Sequence, residues 1–242
     1  MNILHAHLWG DSWTSDLGIF ELDSEMCEKL LHLIEEQVSI QLVKIVLPEL
    51  WNFIDDYIKE HGPCFFRLSG ASPKDSTYKC QGPLLKANDV EHLLQVCFES
   101  NRFIDELDES ILIDRNIAFI LRKWNDEIGK CDEYRIFVGD GEYELAVRMS
   151  DMEFAKDNVA YHLRKFVEKH VSSFPSSTLV IDVALDPVTY NVIFIEFNPI
   201  DDELDMYNVD LSLLSDTIRT AQVQPSETFK LLDNSCILSL DN

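Results

Sequence analysis

Basic residues are scarce in this chain: 20 Lys and Arg stand against 44 Asp and Glu in 242 residues, a formal charge of -24. A charge of that sign repels phosphate backbones. It speaks against general nucleic-acid binding and favours a basic protein partner surface, although a merely solvated acidic surface would give the same balance. Long apolar runs are missing too. None approaches the ~20 residues of a membrane helix, so no membrane span is expected. The start, Met1-Asn2-Ile3-Leu4-His5-Ala6-His7, lacks a basic region followed by an apolar run and does not read as a signal peptide. His5-x-His7, without a nearby Cys, is too weak a pattern for a metal site. The six cysteines (Cys27, Cys64, Cys80, Cys97, Cys131, Cys236) form no C-x-x-C pair, so reduced thiols in a cytoplasmic protein are expected. Internal repeats and low-complexity tracts are absent. So are G-x-G-x-x-G, a Walker loop, and the H-R-D and D-F-G constellations.

What is present is an ordinary globular composition, 46% hydrophobic and 26% charged, of a length that suits one large domain or two small lobes. Apolar spacing predicts a helix over Ser24 to Val38 and another over Pro48 to Glu60. Cys64 to Leu68 reads as a strand. Asn88 or Asp89 caps a helix carrying Val90, Leu93, Leu94 and Cys97, and Ile117 to Trp124 reads as a strand. Tyr134 to Val138 and Glu142 to Arg148 form a hairpin across Gly139-Asp140-Gly141. Ser150-Asp151-Met152-Glu153 has the form of a capping box, with a helix expected after it. Strands joined mostly by hairpins and mixed with helices point to an α+β fold rather than a parallel doubly wound sheet.

Two acidic residues sit inside apolar strands, in Leu179-Val180-Ile181-Asp182-Val183 and Ile193-Phe194-Ile195-Glu196-Phe197-Asn198-Pro199. If these runs pair as a hairpin centred on Thr189, Asp182 falls opposite Glu196, and Asn198 shares the face of Glu196. Carboxylates so placed repel each other and lose hydration, so a positive charge between them is expected. A hard cation, Mg²⁺ carrying nucleotide phosphates, suits such oxygen ligands. The alternative is that each acid pairs with a basic side chain or lies at a wet sheet edge. Removing one of two repelling carboxylates is expected to leave the fold intact, and could raise its stability. The scarce cations also gather. Arg67 and Lys74 bracket a loop of small residues, and Arg122, Lys123 and Arg135 lie on later strands. Cations, loop amides and carboxylate-held metal are the parts a nucleoside triphosphate needs.

Arg67-Leu68-Ser69-Gly70-Ala71-Ser72-Pro73-Lys74-Asp75, Leu121-Arg122-Lys123-Trp124, Glu133-Tyr134-Arg135-Ile136-Phe137-Val138 and Ile195-Glu196-Phe197-Asn198-Pro199 resemble, in order, the motifs of the cell division cycle protein 123 family. The resemblance implies an ATP-grasp-like fold in which two lobes with antiparallel sheets enclose ATP and Mg²⁺. The lobes are expected at 1–115, with the phosphate loop, and at 116–242, with the metal site. It implies Arg67 at a phosphate-binding position usually held by Lys, and a loop with Ser69, Gly70, Ala71, Ser72 and Lys74 over the phosphates. Adenine-side contacts fall to Arg122, Lys123 and Trp124, and Arg135 faces the phosphates. Asp182, Glu196 and Asn198 hold the metal, and Asp182 also contacts the nucleotide. Gly70 stands where a bulky aromatic is usual, which is expected to loosen the loop. Glu196 stands where Asp is usual, and an acidic insertion before the loop is missing.

The same resemblance implies a function: assembly of translation initiation factor 2 through its gamma subunit, with ATP as cofactor. The acidic stretch Asp201-Asp202-Glu203-Leu204-Asp205 is a candidate docking surface. Two other readings stand beside it. One is an ATP-grasp ligase or transferase that activates a carboxylate as an acyl phosphate. The other is a nucleotide-binding module without chemistry.

Overall fold

The computed structural model describes residues 17–80, 82–151, 153–174 and 177–198, and of Asn198 the backbone alone. His5, His7, Cys236 and Asp201 to Asp205 lie outside the described residues. The chain divides into two compact units between Trp124 and Asn125. That division falls one strand later than the 115/116 boundary expected from the sequence.

The first unit carries a three-stranded antiparallel sheet of β1 (Leu17–Leu22), β2 (Cys64–Leu68) and β3 (Ile117–Lys123), ordered β1-β3-β2. Strand β3 hydrogen bonds on both sides, with Leu22 opposite Ile117 and Leu68 opposite Phe119, and so belongs to this unit. Its helices are α1 (Ser24–Glu35), α2 (Val43–Val46), α3 (Pro48–His61), α4 (Val90–Phe98) and α5 (Asn101–Leu112). Alternation along the strands sends Phe66, Leu68, Phe119 and Leu121 into one core with Leu30, Leu50, Ile54, Leu93, Leu94, Phe103 and Leu107 from the helices. Truncating Phe66 or Phe119 to Ala would cost about 3–5 kcal/mol.

Side-chain caps set the helix starts. Asp23 accepts from the Met26 N–H at 2.8 Å, Asp89 from His92 at 2.8 Å, and Ser100 from Phe103 at 3.2 Å. Helix α1 stops short of the expected Val38 because Gln37 turns to φ 49°. The Val38 N–H then reaches back to the Leu33 carbonyl, which closes the helix end.

The second unit is a four-stranded antiparallel sheet of β4 (Asp132–Gly139), β5 (Glu142–Arg148), β6 (Leu179–Leu185) and β7 (Val192–Asn198), ordered β5-β4-β6-β7, with α6 (Asp157–His170) packed on it. The β4–β5 turn is Asp140-Gly141, with φ of 52° and 80°, the positive pair that a tight two-residue hairpin demands. The expected capping box does not start α6. Asp151 instead accepts from the Arg148 guanidinium and from the Glu153 N–H, so its carboxylate is consumed in a turn. The helix begins at Asp157, behind Lys156, which offers no side-chain cap.

Every residue of β6 is buried. The five described cysteines are free thiols, and burial pushes that of Cys64 up to about 12. Among the described residues, no helix is long and apolar enough to cross a membrane.

Candidate functional site

The strand register of the second unit lines up three charged residues. Arg135 on β4 is the partner of Asp182 on β6, and Asp182 is the partner of Glu196 on β7. Direct partners share a face of the sheet, so the three stand side by side. The expected pairing of Asp182 with Glu196 is therefore present, but not through a plain hairpin. Near the turn, Val183 faces Phe194 and Leu185 faces Val192, and an irregularity in register between Asp182 and Val183 restores the Asp182–Glu196 pair. The turn is fixed by Asp186, whose carboxylate accepts from the Val188 and Thr189 N–H groups at 2.7 and 3.1 Å.

Arg135 presents a planar fork to Asp182. Its Nε donates to Oδ1 and its Nη2 to Oδ2, both at 2.7 Å. Arg135 is 6% and Asp182 7% exposed, so this is a buried bidentate pair. The positive charge that the two acids require is thus supplied in part by the protein itself. Among the described residues, no three His, Cys, Asp or Glu side chains cluster as a metal-ligand set. Asp182 and Glu196 offer the one or two carboxylates that Mg²⁺ takes when phosphate and water complete its shell, so the residues present fit that ion.

In the first unit the sheet face turned away from the core holds the cations. Arg67 is the partner of Ile120 and Phe65 of Arg122, so Arg67 and Arg122 project to the same face. Arg122 lies over the Phe65 ring, 5.3 Å from its centroid. Lys123, opposite Cys64, points to the other face, apart from Arg122, and is exposed. Trp124 continues beyond the strand, its N–H on the Pro63 carbonyl at 2.8 Å and Lys86 over its ring.

The small-residue loop is pinned rather than loose. The Ser69 hydroxyl accepts from the Ala118 N–H at 2.7 Å, and the Leu68 N–H donates to the Ala71 carbonyl at 2.9 Å. Arg67 folds over this turn, donating to the carbonyls of Leu68 at 2.9 Å and Ser69 at 3.3 Å. Ser69, Ala71 and Ser72 are buried, while Gly70 and Lys74 are exposed.

The D123 family model matches residues 28–238. The chain belongs to the D123 family. Curated relatives match it as well. Cell division cycle protein 123 of Candida glabrata is 29% identical over 174 residues, 65% of this chain and 48% of that protein. The translation initiation factor eIF2 assembly protein of Vanderwaltozyma polyspora is 26% identical over 184 residues, 69% of this chain and 49% of that protein. The chain thus spans about half the length of the curated relatives it matches. In three dimensions it matches Cdc123 from Schizosaccharomyces pombe with a TM-score of 0.65 at 19% identity, covering 87% of this chain and 90% of that one. That likeness shows the fold, and the α+β class with two antiparallel sheets expected from the sequence holds.

The D123 loop departs from expectation at Gly70. A β-carbon there would lie 2.6 Å from Oε1 and 2.7 Å from Cδ of Glu106, so the space is filled by a carboxylate. The missing side chain therefore admits Glu106 instead of loosening the loop, and the expected slackness is corrected on that ground. Sequence reasoning passed over Glu106 altogether. A signal was available: it falls in the inward stripe Phe103, Glu106, Leu107 and Ser110 of α5, where an acid is out of place.

Proposed function

We propose that this chain is an ATP- and Mg²⁺-binding assembly factor that promotes the assembly of translation initiation factor 2 through its gamma subunit. The observation that carries the reading is the D123 match over residues 28–238, together with a relative named for assembly of that factor. The paired acids and the clustered arginines support the nucleotide part.

In the first unit, Arg67 would offset phosphate charge, and the amides of Ala71 and Ser72, with Lys74, would meet phosphate oxygens. The Ser69 N–H stays on the Ala118 carbonyl at 2.9 Å, the Gly70 backbone lies against Glu106, and Arg122 would fall on the adenine side. Lys123 and Trp124 would flank the base. In the second unit, Asp182, Glu196 and Asn198 would hold Mg²⁺, and Arg135 orients Asp182 through its fork. When bound, Mg²⁺ neutralises the oxygens of adjacent phosphates. A surplus of 24 negative charges suits association with a basic protein surface by electrostatic steering.

The role asks only that nucleotide bind one conformation better than another, so turnover is unnecessary. The test is affinity purification from a eukaryotic extract in the presence and absence of Mg-ATP, run beside an ADP-release assay. Recovery of the gamma subunit with negligible ADP release supports the proposal. ADP release that requires a small acid and an amine, with no protein partner at low salt, would replace it with a ligase.

A further inference from the structure

Helix α5 grips the small-residue loop at both of its ends. At the far end, the Asp75 carboxylate accepts from the Ser100 hydroxyl at 2.5 Å and from the Arg102 N–H at 3.1 Å. At the near end, about 9 Å further along the helix at 1.5 Å per residue, the Glu106 carboxylate sits against the Gly70 backbone, in the space a side chain there would need. Glu106 is 7% exposed and also accepts from Arg115 Nη2 at 3.2 Å. Arg115 is itself held by the Ser110 hydroxyl, which donates to its carbonyl at 2.5 Å, and it stands 3.8 Å from Glu109. Its Nε is buried without a hydrogen-bond partner among the described residues. An apolar side chain in this stripe would pack at no electrostatic cost, but it would leave the Arg115 guanidinium without this acceptor.

We propose that Glu106 is a positioning residue for a polyphosphate, holding Gly70, and with it Arg67 and the Ser69–Asp75 loop, in the arrangement that receives the phosphates. The assignment rests on the nucleotide reading above. Glu106 touches no phosphate in this role. It acts from beneath the loop, through the backbone that Arg67 also grips at Leu68 and Ser69. Four groups set its charge state besides burial. Burial pushes its carboxyl above the ordinary range, the Arg115 guanidinium pulls it back, Glu109 pushes it up again, and the Gly70 N–H and the Arg67 charge pull it down. Its charged form is therefore a burden on the fold that the loop contact does not fully offset. A purely structural residue and a positioning residue then separate on replacement by an uncharged isostere.

The experiment uses the full chain and its E106Q, G70A, E106A and G70A/E106A variants. Calorimetric titration with Mg-ATP and amide hydrogen exchange over residues 69–75 are measured for each. E106Q keeps one acceptor oxygen but loses the charge and turns the other oxygen into an NH₂ donor. It is expected to weaken Mg-ATP about tenfold, on the scale of one hydrogen bond to a charged group, and to speed exchange in the loop without lowering the melting temperature. G70A is expected to do the same by displacing the carboxylate. The double variant should be no worse than E106A, because the group that clashes with the new methyl is gone. Unchanged affinity and unchanged loop exchange in E106Q would overturn the proposal, as would additive losses in the double variant. If the parent itself fails to bind Mg-ATP, the nucleotide reading falls. The assignment of Glu106 to a polyphosphate falls with it, whatever the loop exchange. Should E106Q fail to fold, G70A reads the same contact from the loop side.

Discussion

Asp182→Asn separates the two accounts of the paired acids. From sequence alone, Asp182 and Glu196 repel each other, and neutralising one should leave the fold at least as stable. The structure reverses the sign. Both Asp182 oxygens accept from Arg135 at 2.7 Å, in a pair less than a tenth exposed. Asparagine keeps the shape but turns one acceptor into an amide donor aimed at a guanidinium donor. The gain and the loss can be compared. Direct partners on adjacent strands have β-carbons about 5 Å apart, so the Asp182–Glu196 repulsion is at most ~3 kcal/mol at an effective dielectric of ~20. It falls further as the longer Glu arm swings away. The Arg135 attraction at ~4 Å is ~4 kcal/mol on the same scale, before its two charge-assisted hydrogen bonds are added. Removing one partner of a buried pair costs about 3–5 kcal/mol. With the relieved repulsion set against it, we expect a net loss of about 1–3 kcal/mol, or ~2–12 °C in melting temperature for a chain of this size. Scanning calorimetry without nucleotide provides the measurement, with Arg135→Met/Asp182→Leu as the second arm. The double replacement should cost less than Asp182→Asn alone, because no charge is left unpaired. An Asp182→Asn protein that melts at or above the parent would refute the reasoning.

Ser100→Ala should cost about 1–2 kcal/mol in urea unfolding, because this hydroxyl both caps α5 at Phe103 and donates to Asp75. An unchanged midpoint would show that the α5 clamp carries no stability. The Asp75 carboxyl, which burial alone would raise, is held below its ordinary range by the Ser100 hydroxyl and the Arg102 N–H. Its contribution is therefore present above the ordinary carboxylate range and lost as pH falls through the lowered value, and an Asp75→Asn variant should remove that acid-side loss. Glu106 has the opposite sign: its raised carboxyl gives stability that is full below the ordinary range and lost as pH rises through the raised value. The stability of E106Q relative to the parent should accordingly improve as pH rises from the ordinary carboxylate range through the raised value; a flat difference would contradict the buried, charge-burdened state of Glu106.

Much of this fold was legible because local chemistry agreed with it. Cys64–Leu68 is a strand with the expected bounds, and Asp140-Gly141 makes the expected tight turn. Asp182 meets Glu196 as expected, although the irregularity in register beside Asp182 was needed to bring them together. What could not be read was long-range pairing. The sequence leaves open that Asp182 pairs with a basic side chain but does not name Arg135, 47 residues away, which the resemblance places at the phosphates. The capping-box pattern at Ser150 misled because Arg148 competes for Asp151. Strand β1 and helix α5 went unread. The inward stripe of α5 is half polar, and the reason lies in Gly70, Asp75 and Arg115, distant residues that its polar groups engage.

The central claim is that Mg-ATP prepares this D123 chain to bind the gamma subunit of translation initiation factor 2. Its most direct test is titration of the purified gamma subunit onto the chain by calorimetry, at fixed salt, with and without saturating Mg-ATP. The account predicts a one-to-one complex whose affinity rises when Mg-ATP is present and whose ATP dependence disappears in Asp182→Asn, provided that variant remains folded at the temperature used. Absence of any complex at low salt, or an affinity indifferent to Mg-ATP in a parent protein that binds the nucleotide, would contradict it.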